Sequence, residues 1–278
     1  MDGQLTLSDL ADLEGWGGHD HDTSRDVFRL SCREMLEQGT GFTRLVRFGG
    51  SPSSWHSACL SAFEAGPARG YFERMFRAYR VHDAERPAGL FTGYYEPEVD
   101  GSRSRSNEFH VPIYRRPPDL IAFRAEDRTR SGLAYGRLTA GAPAPYLTRR
   151  EIEEGALAGQ ELEIVWLRDW ADAFFIQIQG SGRVRLAEGG TMRLSYAAKS
   201  GHAYTAIGGL LVQRGLVSEK AMSMQAIRAW MASNPEDARE LMWENRSFVF
   251  FREIDLEDPE RGALGAQHVQ LTPRHSLA

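Results

Sequence analysis

The nine residues Gly89-Leu90-Phe91-Thr92-Gly93-Tyr94-Tyr95-Glu96-Pro97 constrain the fold of this chain more than any other stretch. Phe91, Tyr94 and Tyr95 favour extended backbone, Gly93 permits a bend or a close approach, and Pro97 cannot donate to a central ladder. They predict a strand that ends at the rim of a cleft. A second stretch of the same kind runs from Phe174 to Gly182, where an apolar strand gives way to two amides, a hydroxyl and two glycines. On a strand Gln177 and Gln179 point the same way. Facing a groove, both amides could bond sugar hydroxyls and N-acetyl groups, with Gly180 and Gly182 opening the backbone; facing inward, they would be buried amides with internal partners. Trp166, Trp170, Tyr94 and Tyr95 could stack on sugar rings or fill the core.

Around these stretches the periodicity is helical at both ends of the chain. Thr23 or Ser24 is an N-cap for a helix carrying Phe28, Cys32, Met35 and Leu36 to about Gly39. A second helix follows Pro52, with Trp55, Cys59 and Phe63 on one face and Gly66 as its stop, and a third carries Phe72, Met75, Phe76 and Tyr79. The middle is mainly β. Val111–Tyr114 and Ile164–Leu167 read as strands, Glu188-Gly189-Gly190 as a hairpin turn, and the glycine- and proline-rich run 132–145 as a long loop. Thr148 with Glu151 forms a capping box that opens a short helix to Leu157. Helical spacing returns at Ile207–Leu211, from Ser223 to Asn234 and from Pro235 to about Glu244, before a strand over 247–254. This order predicts an α+β protein, mainly β with helices. A helix-rich domain, 1–96 plus 217–278, would be interrupted by a β-rich domain, 97–216.

A net charge of −5 gives no support to nucleic acid as a partner. Arg103, Arg105, Arg115 and Arg116 form either a local basic patch against an anionic ligand or a solvated surface. No stretch approaches the roughly 20 apolar residues of a spanning helix, and Met1-Asp2-Gly3-Gln4 carries neither a basic nor an apolar run, so the chain as written reads as cytosolic and soluble. Cys32 and Cys59 are expected as two buried thiols; a disulfide joining two helices is the alternative and would require an oxidising compartment. His19-Asp20-His21-Asp22 is expected to be a solvated run in preference to a metal site. No metal or organic cofactor is implied.

The usual signatures of acyl transfer, nucleotide binding and zinc proteolysis are missing. Glycoside cleavage needs a carboxyl group to protonate the leaving oxygen. Glu96, among tyrosines and prolines, is a candidate acid or a loop brace, and Asp169 and Asp172 are either acids or turn formers at a strand entry.

Five motifs then occur in order: Phe91–Pro97, Gln177–Gly182, Ser195–Tyr204, Met222–Ile227 and Asn245–Phe251. Together they resemble the membrane-bound lytic murein transglycosylase A family over nearly the whole chain from about Leu10. The resemblance implies a double-psi β-barrel domain, here incomplete, a second β-domain inserted after Tyr-Tyr-Glu-Pro, and a glycan groove between the two. It implies non-hydrolytic cleavage of the β-1,4 bond between N-acetylmuramic acid and N-acetylglucosamine, leaving a 1,6-anhydromuramyl end. By motif, Thr92, Gln179 and Ser181 would line the groove, and Tyr94, Tyr95 and Gln177 join them as substrate-binding candidates. The family's catalytic aspartate lies in an Asp-x-Gly-Gly-Ala-Ile-x-Gly segment beyond the position of Ala278, so no catalytic residue is assigned within this sequence and a non-catalytic peptidoglycan-binding relic is the alternative. The expected partner is the peptidoglycan glycan strand. The expected location is periplasm or outer membrane, with membrane attachment only through a lipid anchor that this sequence does not carry.

Overall fold

The computed structural model describes residues 4–37, 50–82, 88–89, 96–255, 265, 269–272 and 274–276. The chain divides into two compact units, 1–94 with 257–278, and 95–256.

In the first unit, β1 (Gln4–Ser8), α1 (His21–Glu37), α2 (His56–Ala62), α3 (Ala68–Met75) and β2 (Ala78–His82) follow one another. The cap of α1 is Asp20, not Thr23 or Ser24. Its carboxylate accepts from the Thr23 N–H at 2.9 Å and from the Thr23 hydroxyl at 2.6 Å, and these bonds hold its pKa below the usual 3.8. His21 consequently enters the helix and is buried beside Trp16 and Phe72, so the His-Asp run is not simply solvated. Phe28, Trp55, Tyr71, Phe72 and Phe76 pack edge to face and tilted as one aromatic core. Cys32 and Cys59 are not thiols. They form a disulfide between α1 and α2, and both are 0% exposed.

The second unit contains β3 (Glu98–Ser102), β4 (Val111–Tyr114), β5 (Ile121–Ala122), α4 (Ala125–Ser131), β6 (Tyr135–Thr139), β7 (Ala142–Ala144), α5 (Arg149–Glu151, continued by a wide turn to Ala156), β8 (Glu163–Leu167), α6 (Trp170–Gln179), β9 (Ser181–Leu186), β10 (Thr191–Lys199), α7 (Ile207–Gln213), α8 (Met224–Ser233), α9 (Pro235–Glu244) and β11 (Val249–Ile254). Six strands form one sheet in the order β11-β10-β9-β3-β8-β4, antiparallel except for the β3–β9 pair. The sheet curls until a single parallel bridge, Arg115 to Phe251, joins its edges. Its inner face carries Val99, Val111, Ile113, Val165, Leu167, Val184, Met192, Leu194 and Phe251, and α6 covers this core with Ala173 and Ile176. Residues 217–254 lie in this unit because β11 zips onto β10 and because α8 and α9 pack with α7 against Phe174 and Phe175 of α6.

Two segments depart from the sequence expectation. Residues 174–179 are helix, not strand. Asp169 caps α6 by accepting from the Asp172 N–H at 2.8 Å, and Gly180, with φ 74°, ends it. The run 132–145 is not a long loop either. It holds the β6–β7 hairpin, turned at Ala140 and Gly141, whose φ values of 50° and 79° are those of a two-residue hairpin turn. With β5 it makes a second, three-stranded sheet. Gly201 lets this sheet approach the end of β10, since a side chain there would lie 2.2 Å from the Tyr135 carbonyl.

The capping box at Thr148 and Glu151 is present as expected. What it positions is a buried cation. The Arg149 guanidinium donates to the carbonyls of Asn245 (3.0 Å) and Ser247 (2.8 Å) and to Glu153 (3.0 Å), and it lies over the rings of Phe174 and Phe248. Ser200 adds a second link by exchanging hydrogen bonds with Phe248. The motifs Ser195–Tyr204 and Asn245–Phe251 thus meet as scaffold.

His202 belongs to the same scaffold. Its Nε2 donates to the Tyr146 carbonyl at 2.9 Å, and burial lowers its pKa from 6.5, with Arg246 and Arg137 adding to the fall against Tyr146 and Glu151. Above pH 6.5 the ring is neutral whether the chain is folded or not. Below it the unfolded chain takes the proton first, so stability falls as pH drops from 6.5 toward the lower folded value. Urea midpoints at pH 7.5, 6.5 and 5.5 should fall less in His202→Gln than in the parent. The difference should stay well under the roughly 1.4 kcal/mol per pH unit of one full proton, because the ring is partly screened. Equal slopes would remove His202 from the acid response.

Candidate functional site

The site is built where α6 hands the chain to β9. Gln179 is the last helical residue, Gly180 turns in the left-handed region with its N–H on the Ile176 carbonyl (2.9 Å), and Ser181 opens the strand opposite Ser195 of β10. One helix end, one glycine and one strand start therefore replace a loop. The chain enters β3 beside this point, since the Arg183 N–H donates to the Pro97 carbonyl at 2.8 Å and Glu98 pairs with Arg183 in the parallel ladder. Two residues earlier stands Glu96. Its Oε2 lies 3.6 Å from Nη1 of Arg193, with the two side chains only 12% and 5% exposed. Burial pushes the Glu96 carboxyl above its usual 4.5, Arg193 and Arg183 oppose the shift, and Glu98 adds to it. A carboxyl held this way is engaged with a guanidinium.

The sequence candidates separate on this frame. Thr92, Tyr94 and Tyr95 lie outside the described residues. Ser181 is buried at the start of β9, and Gln179 is half-buried beside it. Gln177 does not point with Gln179, because residues two apart on a helix diverge by about 200°. It is 5% exposed, and its Oε1 has no hydrogen-bond partner. Asp169 caps α6. Asp172 is bound to Arg228 at 2.7 Å, its pKa raised by burial and by Asp169 against that pairing. Trp170 packs between two core clusters under the Arg239 guanidinium (4.1 Å), and Trp166 lies beneath Arg105 at 5.6 Å. The arginines do not act as one patch: Arg103 pairs with Glu253, and Arg116 donates to the Leu120 carbonyl. A separate surface cavity of about 540 Å³, lined by Arg105, Ser106, Asn107 and His110, holds none of the motif residues. Among the described residues, no three His, Cys, Asp or Glu side chains are placed to hold a metal ion, and no helix is long and apolar enough to cross a membrane.

One pair was not singled out from the sequence. Tyr196 follows Met192 and Leu194 in strand alternation and shares their face, but at a bulge beside its buried partner Phe251 it is 37% exposed. Its ring stands edge to face with Tyr135 of β6 at 6.4 Å between centroids. Gly180 is its neighbour: a side chain there would reach 3.8 Å from the Tyr196 Cβ. The available signal was the aromatic residue at the inward parity of β10, inside the Ser195–Tyr204 motif.

Residues 90–252 match the family model described as the MltA specific insert domain. The chain is 34% identical over 236 residues to the membrane-bound lytic murein transglycosylase A of Escherichia coli K12, covering 84% of this chain and 57% of that protein. It thus spans about half the length of the curated relatives it matches. Among solved structures it is similar to a membrane-bound lytic murein transglycosylase from Agrobacterium tumefaciens (TM-score 0.79, 32% identity, 90% of this chain and 72% of that one). It is also similar to E. coli MltA with bound chitohexaose (TM-score 0.61, 28% identity, 95% and 70%).

Proposed function

The chain belongs to the MltA family, and we propose on that premise that its second unit holds a peptidoglycan glycan strand for lytic transglycosylation. The observation that carries this reading is the passage from α6 to β9, where Gln179, a bare glycine and Ser181 stand next to one another on fixed backbone. An amide and a hydroxyl match the hydroxyl and N-acetyl groups on the rim of an amino sugar. The Glu96–Arg193 pair supports the rim from within. Thr92, Tyr94, Tyr95 and Gln177 complete the proposed binding set.

Cleavage then needs one carboxyl that protonates the glycosidic oxygen and afterwards, as carboxylate, removes the proton from the C6 hydroxyl, which attacks its own anomeric carbon. Because that nucleophile is tethered, no water has to be recruited. Glu96, Asp169 and Asp172 are each committed to an arginine or a helix cap. The family resemblance implies that the acid/base is the aspartate of an Asp-x-Gly-Gly-Ala-Ile-x-Gly segment, which residues 1–278 do not contain. The first unit belongs to a double-psi barrel interrupted by the sheet-bearing domain. The β1–β2 ribbon supports this, since Leu5, Leu7, Tyr79 and Val81 pair across it and are exposed, a face suited to further strands. The buried disulfide supports an oxidising compartment, the periplasm or the outer membrane face.

Mass spectrometry of muropeptides, after murein sacculi are incubated with this chain and with a version extended through that segment, tests the reading. Anhydromuropeptides are expected from the extended form alone. Products from the 278 residues themselves would place the acid among them, and Glu96→Gln and Asp172→Asn would identify it. Glycan that is retained but uncleaved by both forms would leave a binding protein.

A further inference from the structure

We infer that Tyr196, held by Tyr135, is the stacking face on which one N-acetylhexosamine ring of the strand rests beside Gln179 and Ser181. This assignment rests on the glycan reading above and names residues that reading did not use. A pyranose ring has a face of C–H bonds and a rim of polar groups, so its binding site needs an apolar surface next to donors and acceptors. The end of β10 supplies that combination. More than a third of Tyr196 is open to solvent, although Met192 and Leu194 on the same face are fully enclosed. Gly180, where an added Cβ would meet the Tyr196 Cβ at 3.8 Å, is the residue between the Gln179 amide and the Ser181 hydroxyl. The negative face of an aromatic ring attracts the positively polarised C–H bonds of a sugar.

The ring is also fixed before any ligand arrives. The bulge between Tyr196 and Ala198 sets its backbone, and its ring stands edge to face against that of Tyr135. Tyr135 is itself held where β6 meets Gly201 at the end of β10. A tyrosine ring packed against a second ring before binding loses little rotamer freedom when a ligand arrives. These contacts make Tyr196 a positioning residue for a sugar ring, with Tyr135 as its brace.

Calorimetric titration of the 278-residue chain with chitohexaose tests the assignment. Tyr196→Leu, which keeps apolar volume and removes the ring, is expected to weaken binding by on the order of tenfold. Tyr196→Phe, which keeps the ring and loses only the hydroxyl, should stay within about threefold of the parent. A purely packing role would let leucine serve as well as phenylalanine. Parent and Tyr196→Leu chains that bind within twofold of each other and melt together would overturn the stacking role and leave the glycan reading intact; a parent chain that does not bind would remove the reading itself. If the leucine variant does not fold, intermolecular NOEs from the ligand's ring protons to the Tyr196 ring in the unaltered protein decide the point, and their absence at saturation counts against it.

Discussion

Arg149→Ala is expected to lower the unfolding free energy of the second unit by roughly 3–5 kcal/mol, the usual cost of breaking a buried ion pair by removing one partner. The side chains of Arg149 and Glu153 are 2% and 3% exposed, so neither can turn to water when the other is lost. Glu153 would keep its bond from Trp243 Nε1 (2.9 Å) and the more distant Arg239, but the charge that neutralises it most directly would be gone. Two carbonyls, those of Asn245 and Ser247, would lose their donors inside the protein, each at about 1–3 kcal/mol when left unsatisfied. Arg149→Lys keeps the charge without the planar fork and should fall between parent and alanine variants. The double variant Arg149→Leu/Glu153→Leu should recover part of the loss, because it removes the uncompensated carboxylate as well. Urea unfolding followed by tryptophan fluorescence gives all four values. An alanine variant within 1 kcal/mol of the parent would show that the cluster is not a stabilising centre.

The Cys32–Cys59 disulfide should act on the other unit. The bond links residues 27 apart, and removing it returns to the unfolded chain the entropy of an open loop of that length, about 3–4 kcal/mol. Cys32→Ala/Cys59→Ala tests this without depending on access of a reductant to two fully enclosed sulfurs. Hydrogen exchange should accelerate in α1 and α2 and leave the six-stranded sheet unchanged. Uniform acceleration, or none, would contradict a local staple.

These two features differ in how far the sequence disclosed them. The disulfide is one of two outcomes that the sequence allows, since spacing on two helix faces permits pairing without requiring it. The capping box around Arg149 was legible because its residues lie three apart, whereas the carbonyls that receive the guanidinium come from residues about a hundred positions later. The same distinction explains α6. Ile176-Gln177-Ile178-Gln179 alternates apolar and polar with the period of a strand, and that pattern outweighed an Asp169 cap and a Gly180 stop that together specify a helix. The alternation has a different origin: Ile176 closes the sheet core while Phe174 and Phe175 enter the α7–α9 cluster, so the helix is buried nearly all round and shows no clean amphipathic stripe. Gln179 and Ser181 are named by the motif whatever element carries them, and they stand as proposed positions. Tyr196 is not, because its exposure at a bulge is something no local pattern reports.

The absence of any linker between α6 and β9 limits how this surface could have diversified. Most binding surfaces vary by lengthening or shortening loops. Here one added residue between Gln179 and Ser181 would either unwind the helix cap or shift β9 by one position, turning Val184 outward and Arg183 inward along the whole ladder. Inheritance at this junction is therefore confined to exchanging side chains on a fixed backbone.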